Sequence, residues 1–453
     1  MDQIIKGRCS DISSNGKGIV KKGKDTFYVE GLFPGETGEF EFCFLRGGIY
    51  HCKLSKLFRI NKDRINPKCN LCNECDGCQY QQIAYKAQLN YKRRRVVNAI
   101  EKSTKIKDVR VNPVQGMANP YNYKNKITLM YGYDNEHNII YGFYKENLRE
   151  ILPIDICNVC NKNVFSIFED IKTLCETYHV TCYSQEEETG TLRYVEIRNG
   201  YHTDEIMVVL VCTKLYFKDR KKFINDLVTM HPEITSVVVN ENFKSSNTVF
   251  GEKEKAVFGK NFINDTILDF NFNITSRSYI EENIGQAEKL FNSALNFIPV
   301  DKSKTVLDVS LTPSNIGLII AKQAKKVISV GSNRPNFLED IENAKKNHIE
   351  NIDFLNVDPA RYLNQYFKDI DIVVLSPTRK GTNQDFLYSL IDHKVVQIIY
   401  VSNDPEALSK DLEYLSPFYE IRYVQPVDMS PMTCDVDTVV YLILKKALEN
   451  ELH

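Results

Sequence analysis

A multidomain α/β protein is the fold class this sequence predicts, with a small N-terminal β-barrel, a central α+β region and a C-terminal doubly wound parallel sheet. Three observations carry that reading. Short β-type runs with glycine punctuation fill residues 1–60, a mixed pattern follows over 61–270, and from 271 apolar β-branched runs alternate with amphipathic stretches to the end at 453. A chain of 453 residues has room for about three domains at roughly 150 residues each.

Hydrophobic residues make up 43% of the chain, ordinary for folded protein, and the formal net charge of −1 gives no global signature of nucleic-acid binding. The opening Met1–Asp11 brings charge too early for a signal peptide, and no run approaches the ~18 apolar residues of a membrane span. A cytoplasmic protein with no membrane partner is therefore expected. In a reducing compartment the 13 cysteines read as free thiols or metal ligands.

Each element can be justified in order. Gly16, Gly18 and Gly23, the run Phe27-Tyr28-Val29, the turn Pro34-Gly35-Glu36 and the run Phe40–Leu45 have the spacing of a small barrel. Cys69, Cys72, Cys75 and Cys78 then recur at every third position, a density that favours zinc or an iron–sulfur cluster. Zinc usually joins two separated knuckles, so one uninterrupted run stands closer to cluster ligation. Cys43, Cys52, Cys175, Cys182 and Cys212 sit in apolar surroundings and read as core. From Lys86 to Arg110, nine cations including Arg93, Arg94 and Arg95 face two acids, while Ala87, Leu89, Tyr91, Val96, Val97 and Ile100 make a helical stripe. This predicts a docked helix with a basic outer face. Strands are expected at Thr305–Val309, Lys326–Val330, Ile352–Leu355, Ile370–Leu375, Val396–Val401 and Val436–Leu444. Ligands in such sheets bind outside the carboxyl ends of the strands.

Residues Tyr400-Val401-Ser402-Asn403-Asp404-Pro405 to Leu408 resemble the Y-V-S-C-N-P-x-x-L motif of the RNA uracil-C5-methyltransferases, whose cysteine attacks C6 of the target uridine. Asn403 stands at the cysteine, and a carboxamide cannot make that attack. Gly16–Phe42 resembles a TRAM domain, an OB-like RNA-binding module, which implies RNA contacts at Lys21, Lys22, Phe27 and Tyr28. The cysteine run resembles the [4Fe–4S] motif of the same family. That implies Cys69, Cys75 and Cys78 as ligands, a fourth in Cys157 after Leu152-Pro153-Ile154, and Cys72 and Cys160 as extra thiols able to compete. Tyr121–Lys126, Gly142-Phe143-Tyr144 and Leu192–Arg198 match further family segments, so the resemblance covers almost the whole chain. It implies a C-terminal Rossmann-like methyltransferase domain.

Departures from the family fall at its functional positions. The glycine loop after the first strand reads Ser310-Leu311-Thr312-Pro313-Ser314, Gly331 replaces the acidic residue for the cofactor ribose, and Ser376 replaces the aspartate of D-P-P-R. Glu281 stands where a glutamine contacts the cofactor, and Asp437 where a glutamate removes the C5 proton. These changes argue against S-adenosylmethionine as a cofactor. They predict an RNA-binding pseudoenzyme with a [4Fe–4S] cluster and no working catalytic residues, its partner an rRNA or tRNA. Two alternatives stay open: an active enzyme with a displaced nucleophile such as Cys434, and an iron–sulfur redox sensor acting on a protein partner.

Overall fold

A computed structural model describes residues 4–145, 150–244, 248–297, 301–310, 315–331 and 337–447. Two compact units emerge: Met1–Pro120 with Lys289–Asn333 and Leu355–His453, and Tyr121–Glu288 with Arg334–Phe354.

The first unit opens with β1 (Ile5–Arg8), β2 (Asp11–Ile12), β3 (Gly18–Lys22), β4 (Asp25–Glu30), β5 (Thr37–Arg46) and β6 (Ile49–Arg59), one sheet in the order β1-β5-β6-β4-β3-β2. The expected barrel is not closed by this pairing, because its two end strands have only four and two residues. Val20, Phe27, Val29, Leu32 and Phe40 fill its core. Gly18 lets the chain pass close to Leu32, where a Cβ would fall 2.2 Å from the carbonyl oxygen. Arg64 locks the following segment to this sheet with two bonds to the fully buried Glu36, at 2.7 and 2.8 Å. Helix α1 (Tyr85–Thr104) follows, and its buried ridge is Gln88, Lys92, Val96 and Ile100.

The second unit has β7 (Lys126–Tyr133), β8 (Ile139–Lys145), β9 (Glu150–Pro153), α2 (Phe165–Thr177), β10 (Leu192–Asn199), β11 (Ile206–Cys212), α3 (Arg220–Met230), β12 (Ile234–Glu241) and β13 (Lys253–Gly259). Its seven strands run β13-β12-β11-β10-β7-β8-β9, and β11 is buried along its whole length, as its continuous apolar run requires. A separate hairpin joins β14 (Phe262–Ile267) to β15 (Phe270–Thr275). Cys175, Cys182 and Cys212 are core as expected, but Cys43 is exposed on the outer half of β5.

The remaining elements are α4 (Ile284–Phe297), β16 (Thr305–Ser310), α5 (Asn315–Ala321), β17 (Lys326–Val330), α6 (Phe337–Lys346), β18 (Ile352–Leu355), α7 (Pro359–Tyr366), β19 (Ile372–Ser376), α8 (Gln384–Asp392), β20 (Gln397–Ser402), α9 (Pro405–Leu415), β21 (Tyr419–Val427) and β22 (Asp437–Leu444). Six strands of this seven-stranded sheet lie wholly in the first unit, in the order β17-β16-β19-β20-β22-β21. Strands β17, β16, β19 and β20 are mutually parallel, while β22 runs against β20. Val96 and Ile100 of α1 share one core with Leu307, Val373, Ile398, Leu412 and Val440. No helix among the described residues is long and apolar enough to cross a membrane.

Candidate functional site

Strand register gathers the site residues of the first unit. Ser310 and Ser376 end β16 and β19 and are direct partners across that pair. Gly331 follows β17 and donates its N–H to the Leu355 carbonyl at 3.2 Å. Asn403 and Asp437 flank the partnered residues Ser402 and Thr438, so they emerge together where β20 ends and β22 begins. These two positions are thus neighbours across the β20–β22 pair. Thr312, Pro313 and Ser314 lie outside the described residues.

Chemistry at these positions is read from partners and burial. The fully buried Asp308 carboxylate accepts bonds from Ser310 Oγ at 2.5 Å and Ser329 Oγ at 2.8 Å. Asn403 Oδ1 is buried and accepts no hydrogen bond, an unpaid desolvation of about 1–3 kcal/mol. Cys434 is no displaced nucleophile in the making. It is 7% exposed, packs with Phe33, Tyr80, Ile83 and Ala87, and burial pushes its thiol up, away from the thiolate. Arg379 pairs with Asp435 at 3.0 Å, and the charges of Asp435, Asp437 and Asp404 together hold its guanidinium more firmly protonated.

Helix α1 and the Cys78–Gln88 segment shape this loop region, a role the basic pattern of the helix did not suggest. Lys92 is fully buried, ion-paired to Asp428, and donates to the Ser430 carbonyl at 2.9 Å, while Tyr85 donates to the second Asp428 oxygen at 2.7 Å. Gln88 and Tyr80 hold Met432 in the left-handed region, with φ of 70°. Arg95 donates to Glu406 at 3.0 Å and to the Cys434 carbonyl at 2.9 Å, joining the start of α9 to the loop before β22. It is therefore a positioning residue behind Asn403 and Asp437, not an open phosphate contact. Arg93 donates to the Val111 carbonyl at 2.7 Å, whereas Arg94 is exposed and pairs with Asp11 at 2.8 Å.

Among the described residues, no three His, Cys, Asp or Glu side chains are gathered as a metal site. Cys72, Cys75 and Cys78 border a cleft of about 500 Å³ in the first unit. The Cys72 thiol is pushed up to about 11 by burial and by the Cys69 and Cys75 thiols. In the second unit Cys157 is drawn down to about 6, chiefly by a hydrogen bond from the Cys160 thiol. Cys69, Cys75 and Cys78 thus belong to the first unit and the expected fourth ligand Cys157 to the second, and neither set is gathered as a metal site among the described residues.

Glu281, also in the second unit, is pushed up to about 7 by burial and by the neighbouring Glu282, which pairs with Lys124 at 2.8 Å and Lys126 at 3.2 Å. A carboxyl raised above its unfolded value holds its proton more tightly when folded. Its contribution is present at low pH and is lost as pH rises through about 7. Glu281→Gln is expected to abolish that loss, so the variant's urea midpoint at pH 8 exceeds wild type while the two agree near pH 4. Equal midpoints at pH 8 would remove the assignment.

No protein-family model matches the chain. An RNA methyltransferase of Clostridium acetobutylicum, itself uncharacterized, is 33% identical over 439 residues, 95% of each chain. Similar uncharacterized RNA methyltransferases of Bacillus cereus and Halalkalibacterium halodurans are each 32% identical, covering 95% and 98% of both chains. The chain belongs to the RNA methyltransferase family. A solved methyltransferase agrees in fold: the Pyrococcus abyssi tRNA (uracil-54, C5)-methyltransferase, in complex with S-adenosyl-L-homocysteine, has a TM-score of 0.78 and 23% identity over 97% of this chain and 100% of its own.

Membership of the methyltransferase family corrects one expectation outright. The argument against S-adenosylmethionine is overturned, since the relatives named above are RNA methyltransferases and the solved methyltransferase of the same fold holds S-adenosyl-L-homocysteine. Substitutions at single strand ends leave the backbone of the sheet in place, and with it the strand ends where ligands of such sheets bind. A second correction comes from burial: Phe27, 5% exposed, packs against Phe40 and Tyr50 and cannot stack on a base. Lys21 and Lys22 are exposed, and Tyr28 is half-buried.

Proposed function

We propose that this member of the methyltransferase family binds RNA, an rRNA or tRNA, on the scaffold of a uracil-C5-methyltransferase but does not methylate it. The observation that carries the reading is Asn403. Where the family chemistry needs a thiolate to add to C6 of uridine, the chain presents a neutral amide beside a retained acid, Asp437. Cys434, the nearest thiol in sequence, is buried and disfavoured as thiolate. Losing a covalent nucleophile costs on the order of 10⁶ in rate. Asp437 alone could hold or take a proton, but there is no adduct from which to take it.

S-adenosylmethionine, which supplies a methyl group when bound, would lie over Ser310, Gly331 and Ser376. These strand-end residues are small, as close approach of a cofactor requires.

The test is release of tritium from RNA labelled at C5 of uridine, with S-adenosylmethionine present. No release above the protein-free background is expected, while the same RNA still binds in a filter assay. Release that depends on S-adenosylmethionine would overturn the loss of methylation and leave RNA binding standing.

A further inference from the structure

The outer half of β5 is exposed on both faces: every residue from Glu41 to Arg46 is open to solvent, while the facing Ile49–His51 of β6 are half-buried. Hairpin ends are usually polar, yet this one carries Phe42, Phe44 and Leu45 at 43%, 49% and 55% exposure, with Phe58 at 45% further along β6. The rings pack on one another. Phe44 and His51 are cross-strand partners stacked with centroids 4.5 Å apart and planes 9° apart. On the other side of β6, Tyr28 is the partner of the same His51 and meets it edge-on at 5.8 Å. Three neighbouring strands thus contribute one row of rings, Tyr28, His51 and Phe44, with half of Phe44 left open at its end.

Cations predominate around the row, although Lys53 has Glu41 and Glu30 as its cross-strand partners. Alternation along the strands places Arg46 on the Phe44 side and Lys53 on the His51 side. Lys6 lies 3.9 Å over the Phe58 ring and Lys56 5.4 Å from it. Between Thr37 and Arg59 the cations Arg46, Lys53, Lys56 and Arg59 outnumber Glu39 and Glu41. Burial, helped by Lys17 and Arg46, holds the His51 imidazole towards its neutral form, which suits stacking rather than ion pairing. An open ring column rimmed by cations fits planar bases strung on phosphates.

We propose that the Phe44–His51 column receives an unpaired base of the bound RNA on the free side of Phe44, with Arg46 and Lys53 set towards the flanking phosphates. This rests on the RNA-binding reading above and deepens it: it assigns single-stranded rather than duplex RNA to the N-terminal sheet. Duplex RNA offers no free base face at such a column.

The experiment uses the full chain and fluorescence anisotropy with a short single-stranded RNA, alone and annealed to its complement. Phe44→Ala is expected to weaken single-strand binding about tenfold, with the salt slope unchanged because no charge is lost. Phe44→Trp should restore the affinity. Arg46→Ala should lower the slope by about one unit. Duplex affinity should not respond to either change at Phe44. Unchanged single-strand affinity in Phe44→Ala, with an unaltered melting curve, overturns the inference. So does a variant that keeps its RNA affinity but changes its sedimenting mass, which would make the patch a contact between copies. If wild type binds neither RNA, the RNA-binding reading itself has failed.

Discussion

Replacing Lys92 by Met is expected to cost about 3–5 kcal/mol of stability, the largest single loss we anticipate, because it strands a buried carboxylate. Both side chains of the Lys92–Asp428 pair are fully excluded from solvent. With the ammonium gone, Asp428 loses the cation it pairs with, while the Tyr85 hydroxyl still donates to it. Neutralising the survivor should repair much of the damage, since an Asn at 428 still accepts from Tyr85. The Lys92→Met/Asp428→Asn double variant should therefore unfold in urea closer to wild type than either single variant. A loss below about 1 kcal/mol for Lys92→Met would mean that water reaches the pair.

The second large effect is a gain. Asn403→Cys is expected to turn a chain that forms no covalent complex with RNA into one that does, read as a shifted band on a denaturing gel with RNA carrying 5-fluorouridine and with S-adenosylmethionine added. The exchange should be gentle to the fold, because Asn403 Oδ1 is already a buried acceptor without a donor. Asn403→Ser is the control and should give no shift. A shifted band from wild type would mean that the nucleophile lies elsewhere in the chain. Failure of Asn403→Cys to shift, with RNA binding intact, would place part of the lesion beyond residue 403.

Much of the C-terminal sheet was legible, because strands buried on both faces write themselves as continuous apolar runs. Lys326–Val330 and Ile352–Leu355 fall where expected, and the others slip by one or two residues at their ends. Helix α1 was legible as a helix but not by its faces. Charge suggested that Lys92 and Arg95 point outward, yet Gln88, Lys92, Val96 and Ile100 are spaced by four and form the buried ridge. That spacing was present in the sequence, but the acids that neutralise these cations, Asp428 and Glu406, stand more than 300 residues away, where no local pattern reaches. Phe27 failed for a similar reason. An aromatic in a strand alternation belongs to one face or the other, and only the register with Phe40 and Tyr50 decides which.

The bonds from α1 to the loop before β22 span 336 residues from Lys92 to Asp428 and 344 from Gln88 to Met432. During synthesis the helix therefore leaves the ribosome long before its counter-charge exists. At about 5–20 residues per second, Lys92 and Gln88 wait on the order of a minute or less with their partners untranslated. The first unit cannot close until its last segment arrives, so chains cut short before residue 428 should be chaperone clients rather than folded fragments.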